Sequence, residues 1–205
     1  MIAKELIKKH RISSDQIRPD ELLVLLGALE EVLQRGTEGD AVELGCYEGT
    51  SALFEARMLE RMSPDKKLWL YDSFEGLPEK TKEDVSALGE AFTAGALKAS
   101  KAVLAKNFVK AGLKIPEIKR AWFYELDPED LPEHICFSFL DGDFYESILD
   151  SLKLVWPKMT KGGVIVVDDY QNPKLPGAKQ AVDEFFADKN IKIKAAKTLA
   201  VISVS

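Results

Sequence analysis

Val42-Glu43-Leu44-Gly45-Cys46-Tyr47-Glu48-Gly49-Thr50-Ser51 reads as a strand that ends in a glycine turn and restarts as a helix. Gly45 lets the backbone turn and come close to a ligand, and Gly49 lets the start of the helix pack against a sheet. The same alternation continues in both directions along the chain. Strands are expected over 41–44, 67–71, 118–123, 135–140, 164–167, 192–195 and 199–204, and helices over 20–34, 51–61, 96–111, 146–155 and 178–188. The runs 135–140 and 164–167 have the continuous apolar character of strands covered on both faces. Strands alternating with helices predict an α/β fold built on a mostly parallel sheet. Only Ala196, Lys197 and Thr198 separate the last two strands. A parallel crossover needs far more chain, so an antiparallel hairpin is expected near the C-terminus.

The 205 residues are 46% apolar and 30% charged, which suits one domain with a modest appendage. Residues 1–37 are expected as an N-terminal helical segment and 38–205 as the main domain. The net charge of −6 argues against nucleic acid as a partner. Cys46 and Cys136 show neither metal-site spacing nor a disulfide framework, so a reduced, cytoplasmic setting is expected. The apolar run 22–29, flanked by Asp20, Glu21, Glu30 and Glu31, is too short to span a membrane. It suits a core layer or a homodimer face. Nothing of signal-peptide type follows the charged residues 1–11. Residues 79–99 are rich in Lys and Glu, then in small residues, and fit the alternation least. They read either as a surface insertion or as a lid over a pocket.

The turn at Gly45 is not the dinucleotide pattern G-x-G-x-x-G, because Tyr47 stands where a pyrophosphate would need glycine. An acid at Glu43, on the strand itself, suits a ligand bearing an ammonium group rather than a phosphate. Leu68-Trp69-Leu70-Tyr71-Asp72-Ser73-Phe74 places Asp72 at the end of the next strand, where an acid can accept both hydroxyls of a ribose. A glycine turn and a ribose acid without a pyrophosphate cradle point to S-adenosylmethionine. Trp122 and Phe123 could flank its adenine. The residues expected against this cofactor are Glu43, Gly45, Tyr47, Gly49, Thr50, Ser51, Asp72, Ser73, Phe74, Trp122 and Asp141.

A second constellation pairs Phe139-Leu140-Asp141-Gly142-Asp143 with Val166-Val167-Asp168-Asp169-Tyr170. Both are apolar strands whose ends break into acid pairs. The intervening chain accommodates one helix, a turn and one strand, so the two ends can be neighbours at the ligand-binding edge of the sheet. Carboxylates gathered there repel one another unless protons or a cation intervene. Ligation by oxygen alone suits a hard divalent ion such as Mg²⁺, Ca²⁺ or Mn²⁺, and neither His10 nor His134 lies near these motifs. The competing reading is that an acid caps a helix, as Asp143 could for the helix near Tyr145.

The segments 43–51, DSFEGLP (72–78), Trp122-Phe123, LDGDFYES (140–147) and GGVIVVDDY (162–170) together resemble the macrocin O-methyltransferase family. Its members are class I S-adenosylmethionine-dependent enzymes that methylate sugar hydroxyls on antibiotics. The resemblance implies a Rossmann-like class I methyltransferase fold, with a seven-stranded sheet whose last strand is antiparallel. It also implies a Mg²⁺ site at Asp141, Asp168 and Asp169, with Asp143 as the catalytic base and a small-molecule hydroxyl as acceptor. Phe144 stands where related catechol-type enzymes carry a lysine base. Three other functions compete. A metal-dependent glycosyltransferase could use Asp-Gly-Asp, but would leave Glu43-x-Gly45 and Asp168-Asp169 without a role. A protein could retain the cofactor pocket without turnover. A nicotinamide oxidoreductase lacks its pyrophosphate turn here.

Overall fold

A computed structural model describes residues 1–89 and 92–205. Its centre is a seven-stranded sheet in the order β3-β2-β1-β4-β5-β7-β6. The strands are β1 (Asp40–Leu44), β2 (Leu68–Asp72), β3 (Glu117–Arg120), β4 (Ile135–Leu140), β5 (Met159–Val167), β6 (Ile193–Ala196) and β7 (Leu199–Ser203). β1 pairs in parallel with β2 and β4, and β4 with β5, whereas β7 runs antiparallel to both of its neighbours. The hairpin expected from the short 196–198 link is therefore present. Strand order reverses between β1 and β4, which opens a crevice at their carboxyl ends.

Alternation along the strands sends side chains to two apolar layers. Ala41, Phe137, Phe139, Val164 and Val166 face α1 (Ile2–Lys9), α2 (Pro19–Gln34), α3 (Thr50–Met62) and α4 (Lys101–Lys110). Val42, Leu44, Leu140, Ile165 and Val167 face α5 (Tyr145–Val155) and α6 (Pro176–Phe186). Leu22, Leu25, Leu26, Leu29 and Val32 of α2 have no exposed surface, so this helix supplies a core layer within the chain. No described helix is long and apolar enough to cross a membrane.

Several boundaries differ from expectation for local reasons. β3 stops at Arg120 rather than 123, because Trp122–Glu125 closes a turn in which the Glu125 carboxylate accepts the Trp122 amide at 3.1 Å. α4 starts at Lys101 rather than 96, where the Ser100 hydroxyl accepts from the Val103 amide. α1 lies within the expected helical segment 1–37, ahead of the first helix given bounds there. Its first amides, at Ile2 and Ala3, donate to the Glu30 carboxylate of α2 at 3.0 Å each.

Much of the 79–99 insertion is tied to the body. Asp84, in the short 3-10 turn Lys82–Asp84, is completely buried. One of its oxygens accepts the amide and hydroxyl of Thr81, and the other accepts the Tyr145 amide at 2.7 Å. The start of α5 is thus satisfied by Asp84 and not by Asp143, which corrects the capping alternative. Leu77, Phe144 and Leu175 form a small separate core, with Phe92, Ala96 and Leu97 packed on it. Residues 90 and 91 of the expected lid lie outside the described residues.

Candidate active site

The carboxyl ends of β1, β2, β4 and β5 open into a cavity of about 660 Å³. Register explains what meets there. Leu140 pairs with Val167 and Leu44 with Leu140, so these three strands end level. The Asp141 amide donates to the Leu44 carbonyl and the Asp168 amide to the Leu140 carbonyl, each at 2.9 Å. Asp141, Asp168 and Asp169 consequently each bring one carboxylate oxygen into a set lying within 4.8 Å of one another. Asp169 takes a left-handed backbone conformation, φ 56°, that turns it toward its neighbours. The Asn172 side-chain amide donates to Asp169 at 2.7 Å, and the Asp169 amide donates to the Asp168 carboxylate at 2.8 Å. Asp143, also left-handed at φ 58°, lines the same cavity.

This gathering is electrostatically uncomfortable. Burial, then the charges of Asp168, Asp143 and Asp169, hold the Asp141 carboxyl well above the usual carboxylate range. Burial and Asp169 do the same to Asp168. Asp143 is pushed up to about 8 by burial, with Asp169 and Asp72 adding to it. Three converging oxygen donors whose ionised forms repel are the donor set that a hard divalent cation satisfies, so these residues fit such an ion.

The other half of the cavity is built around Gly45 and Asp72. Gly45 has φ 92°, and a Cβ there would overlap the Asp141 carbonyl oxygen, so the β1 turn and the first acid are packed backbone to backbone. The Asp72 carboxylate accepts the Tyr47 amide at 2.8 Å and the Phe74 amide at 2.7 Å. It thereby holds two loops whose pivots, Tyr47 and Phe74, both have positive φ. Of the residues expected against the cofactor, Gly45, Tyr47, Asp72, Ser73, Trp122 and Asp141 line the cavity, and Phe123 lines it beside Trp122. The aromatic wall extends outward, because Trp122 stacks on Tyr124 with ring centroids 6.2 Å apart.

Glu43, Gly49, Thr50, Ser51 and Phe74 do not line it. Glu43 has no exposed surface, and one of its oxygens accepts the Ser51 hydroxyl at 2.5 Å. Burial pushes its carboxyl up to about 8. Glu43, Gly49, Thr50 and Ser51 belong to β1, its turn and the start of α3, whereas Phe74 lies in the loop after β2. Sequence reasoning missed Arg18 and Glu21 from the N-terminal segment and Thr198 from the β6–β7 turn, all of which line the cavity. The helix start at 18–21 is legible locally, but no local signal brings it beside the ends of β4 and β5.

Residues 17–201 match the family described as Macrocin-O-methyltransferase (TylF). The chain belongs to the macrocin O-methyltransferase family. It is 29% identical over 165 residues to the mycinamicin III 3''-O-methyltransferase of Micromonospora griseorubida, covering 77% of this chain and 64% of that protein. It is 31% identical over 177 residues to the demethyldecarbamoylnovobiocin O-methyltransferase of Streptomyces niveus, covering 80% and 64%. The chain thus spans just under two thirds of the length of these relatives. Among solved structures, the O-methyltransferase NovP superposes with a TM-score of 0.76 at 24% identity, over 89% of this chain and 78% of that one. The calicheamicin methyltransferase CalS11 gives 0.72 at 18% identity, over 98% and 90%. These likenesses establish the class I methyltransferase fold for this member of the family.

Proposed function

We propose that the chain transfers a methyl group from S-adenosylmethionine to a hydroxyl of a sugar or other natural product, with a divalent cation, Mg²⁺ in the first instance, at Asp141, Asp168 and Asp169. The single observation that carries this reading is the convergence of those three carboxylates within 4.8 Å, beside the turn formed by Gly45 and Asp72. The named activities of the relatives, O-methylation of mycinamicin III at 3'' and of demethyldecarbamoylnovobiocin, support the acceptor class. When bound, S-adenosylmethionine supplies a methyl group already activated on sulfur, and the cation supplies Lewis-acid polarisation of the acceptor hydroxyl.

The chain's own residues do the rest. Asp72 and the Gly45 turn would orient the nucleoside end, with Trp122 and Phe123 against the adenine. Asp143 lines the cavity next to the metal set without belonging to it, which suits its carboxylate to take the hydroxyl proton as general base. Aligning acceptor and donor in one cavity contributes on the order of 7–11 kcal/mol to lowering the barrier. Leu77, Phe92 and Leu97 line the cavity from the insertion side, where an apolar wall would exclude water. Phe144, the residue in place of the catechol-type lysine, is buried in the insertion's small core and offers no base.

Asp168→Asn and Asp169→Asn should each abolish metal-dependent methylation of a hydroxyl acceptor while leaving S-adenosylmethionine affinity nearly unchanged by calorimetry. Turnover that survives both substitutions and chelation would reject the metal-assisted reading. Loss of cofactor binding in both would give these acids a scaffolding role instead.

A further inference from the structure

Glu21 is a charged residue with only 6% of its surface exposed, at the N-terminal end of α2. Its partners come from opposite ends of the chain. One oxygen accepts the Thr198 hydroxyl at 2.5 Å and the Arg18 guanidinium at 2.8 Å, and the other accepts the Arg18 amide at 2.8 Å. Thr198 sits in the β6–β7 turn, where its carbonyl accepts the Gln171 amide at 2.9 Å. Gln171 belongs to the loop that carries Asp168 and Asp169. The next residue, Asn172, closes that loop onto Asp169 through both its backbone amide, at 2.9 Å, and its side-chain amide, at 2.7 Å. A second tie, Lys197 to Asp20 at 3.3 Å, fastens the same turn to the same helix start.

We infer that Glu21 is a positioning residue for the cation site, acting through Thr198 on the loop that presents Asp168 and Asp169. This rests on the reading of those acids as metal ligands. The geometry favours it on two grounds. Asp169 is held in a left-handed conformation, which persists only where surrounding contacts determine it. The loop's outer support is the Thr198 turn, and the turn's buried anchor is Glu21. Arg18 pairs with Glu21 at 2.8 Å, while the charge of Glu21 still bears on Asp168 and Asp169. Groups that orient metal ligands from behind typically contribute tenfold or more to metal affinity or activity.

Thr198→Val deletes the one hydroxyl in the link and keeps the shape of the side chain. Calorimetric or spin-resonance titration of the full-length protein with Mn²⁺ alone should show its affinity weakened about tenfold, the lower end of what such partners contribute. The metal concentration for half-maximal turnover should rise in step, with kcat at saturating metal within about twofold and S-adenosylmethionine affinity unchanged. Thr198→Ser, which restores the hydroxyl, should bind Mn²⁺ as the parent does. The Gln171 amide should exchange faster with solvent in the valine variant alone. Mn²⁺ affinity unchanged by Thr198→Val overturns the inference and leaves the metal reading intact. Equal loss of Mn²⁺ and cofactor binding, unrescued by serine, also overturns it. Should Thr198→Val not fold, Thr198→Ala, which deletes the same hydroxyl, carries the same comparison. A parent protein that binds no Mn²⁺ removes the metal reading and this inference together.

Discussion

Glu55 lies on α3 with no exposed surface, and neither of its carboxylate oxygens has a hydrogen-bond partner among the described residues. Burial, with the nearby Glu43 adding to it, holds its carboxyl well above the ordinary value of 4.5. In the unfolded chain that proton leaves near the ordinary value, whereas the folded chain keeps it to higher pH. Below that value both states hold the proton and no ionisation penalty arises. As pH rises from there toward the folded value, the unfolded state is favoured and stability falls. Glu55→Met removes both the unpaired group and its pH dependence. Urea unfolding should show a gain of about 1–3 kcal/mol at pH 8, the scale of one buried unsatisfied group, shrinking toward pH 5. An equal effect at both pH values would mean that Glu55 ionises alike in both states. Glu43 shows the other outcome for a buried acid, since the Ser51 hydroxyl partly relieves it.

At the scale of elements, Asp84 links three pieces: its own 3-10 turn, the start of α5 and, through contact with Gly177, the first turn of α6. α5 carries Ser147 and Glu146 along the cavity, so the anchor of the insertion is also an anchor of the cavity wall. Asp84→Ala should cost about 1–3 kcal/mol in urea unfolding, because it strands the part-buried Tyr145 and Thr81 amides together. Exchange of the Tyr145 amide should accelerate beyond what the global loss explains. A neutral substitution would show that solvent replaces the carboxylate. Element existence was legible where apolar period and length agreed, as for α2, β4 and β5. Boundaries were less so. The run 118–123 looks like one strand, yet Glu125 closes a turn on Trp122 that local hydrophobicity does not reveal. α1 falls inside the expected helical segment 1–37 but had no legible bounds, because the groups that satisfy its first amides belong to Glu30, on another helix.

For the molecule as a whole, a cation bound only by the folded state raises its apparent stability. At about a hundredfold excess over its dissociation constant, Mg²⁺ or Mn²⁺ should add about 2.7 kcal/mol. For a domain of this size that is a rise of roughly 5–10 °C in Tm, reversed by chelator. The Asp168→Asn protein should show little of this rise. An equal shift in both proteins would place the cation elsewhere. The main constituents of the cavity were already visible along the chain, because strand-end acids and the Gly45 turn are local patterns: Asp72, Asp141, Asp143, Asp168 and Asp169 all line it. Glu43 and Ser51 also stood out as polar residues at the turn, but their burial behind it depends on what packs above.

The alternation of apolar runs with helical segments determined the α/β sheet, and the short 196–198 link determined its antiparallel end, since both follow from chain length and side-chain period. Strand order, register and the meeting of Glu21 with Thr198 across the whole chain were decided only in the folded molecule. Hydrogen bonds between distant segments form when packing brings them together, and no neighbouring residue in the sequence carries that information.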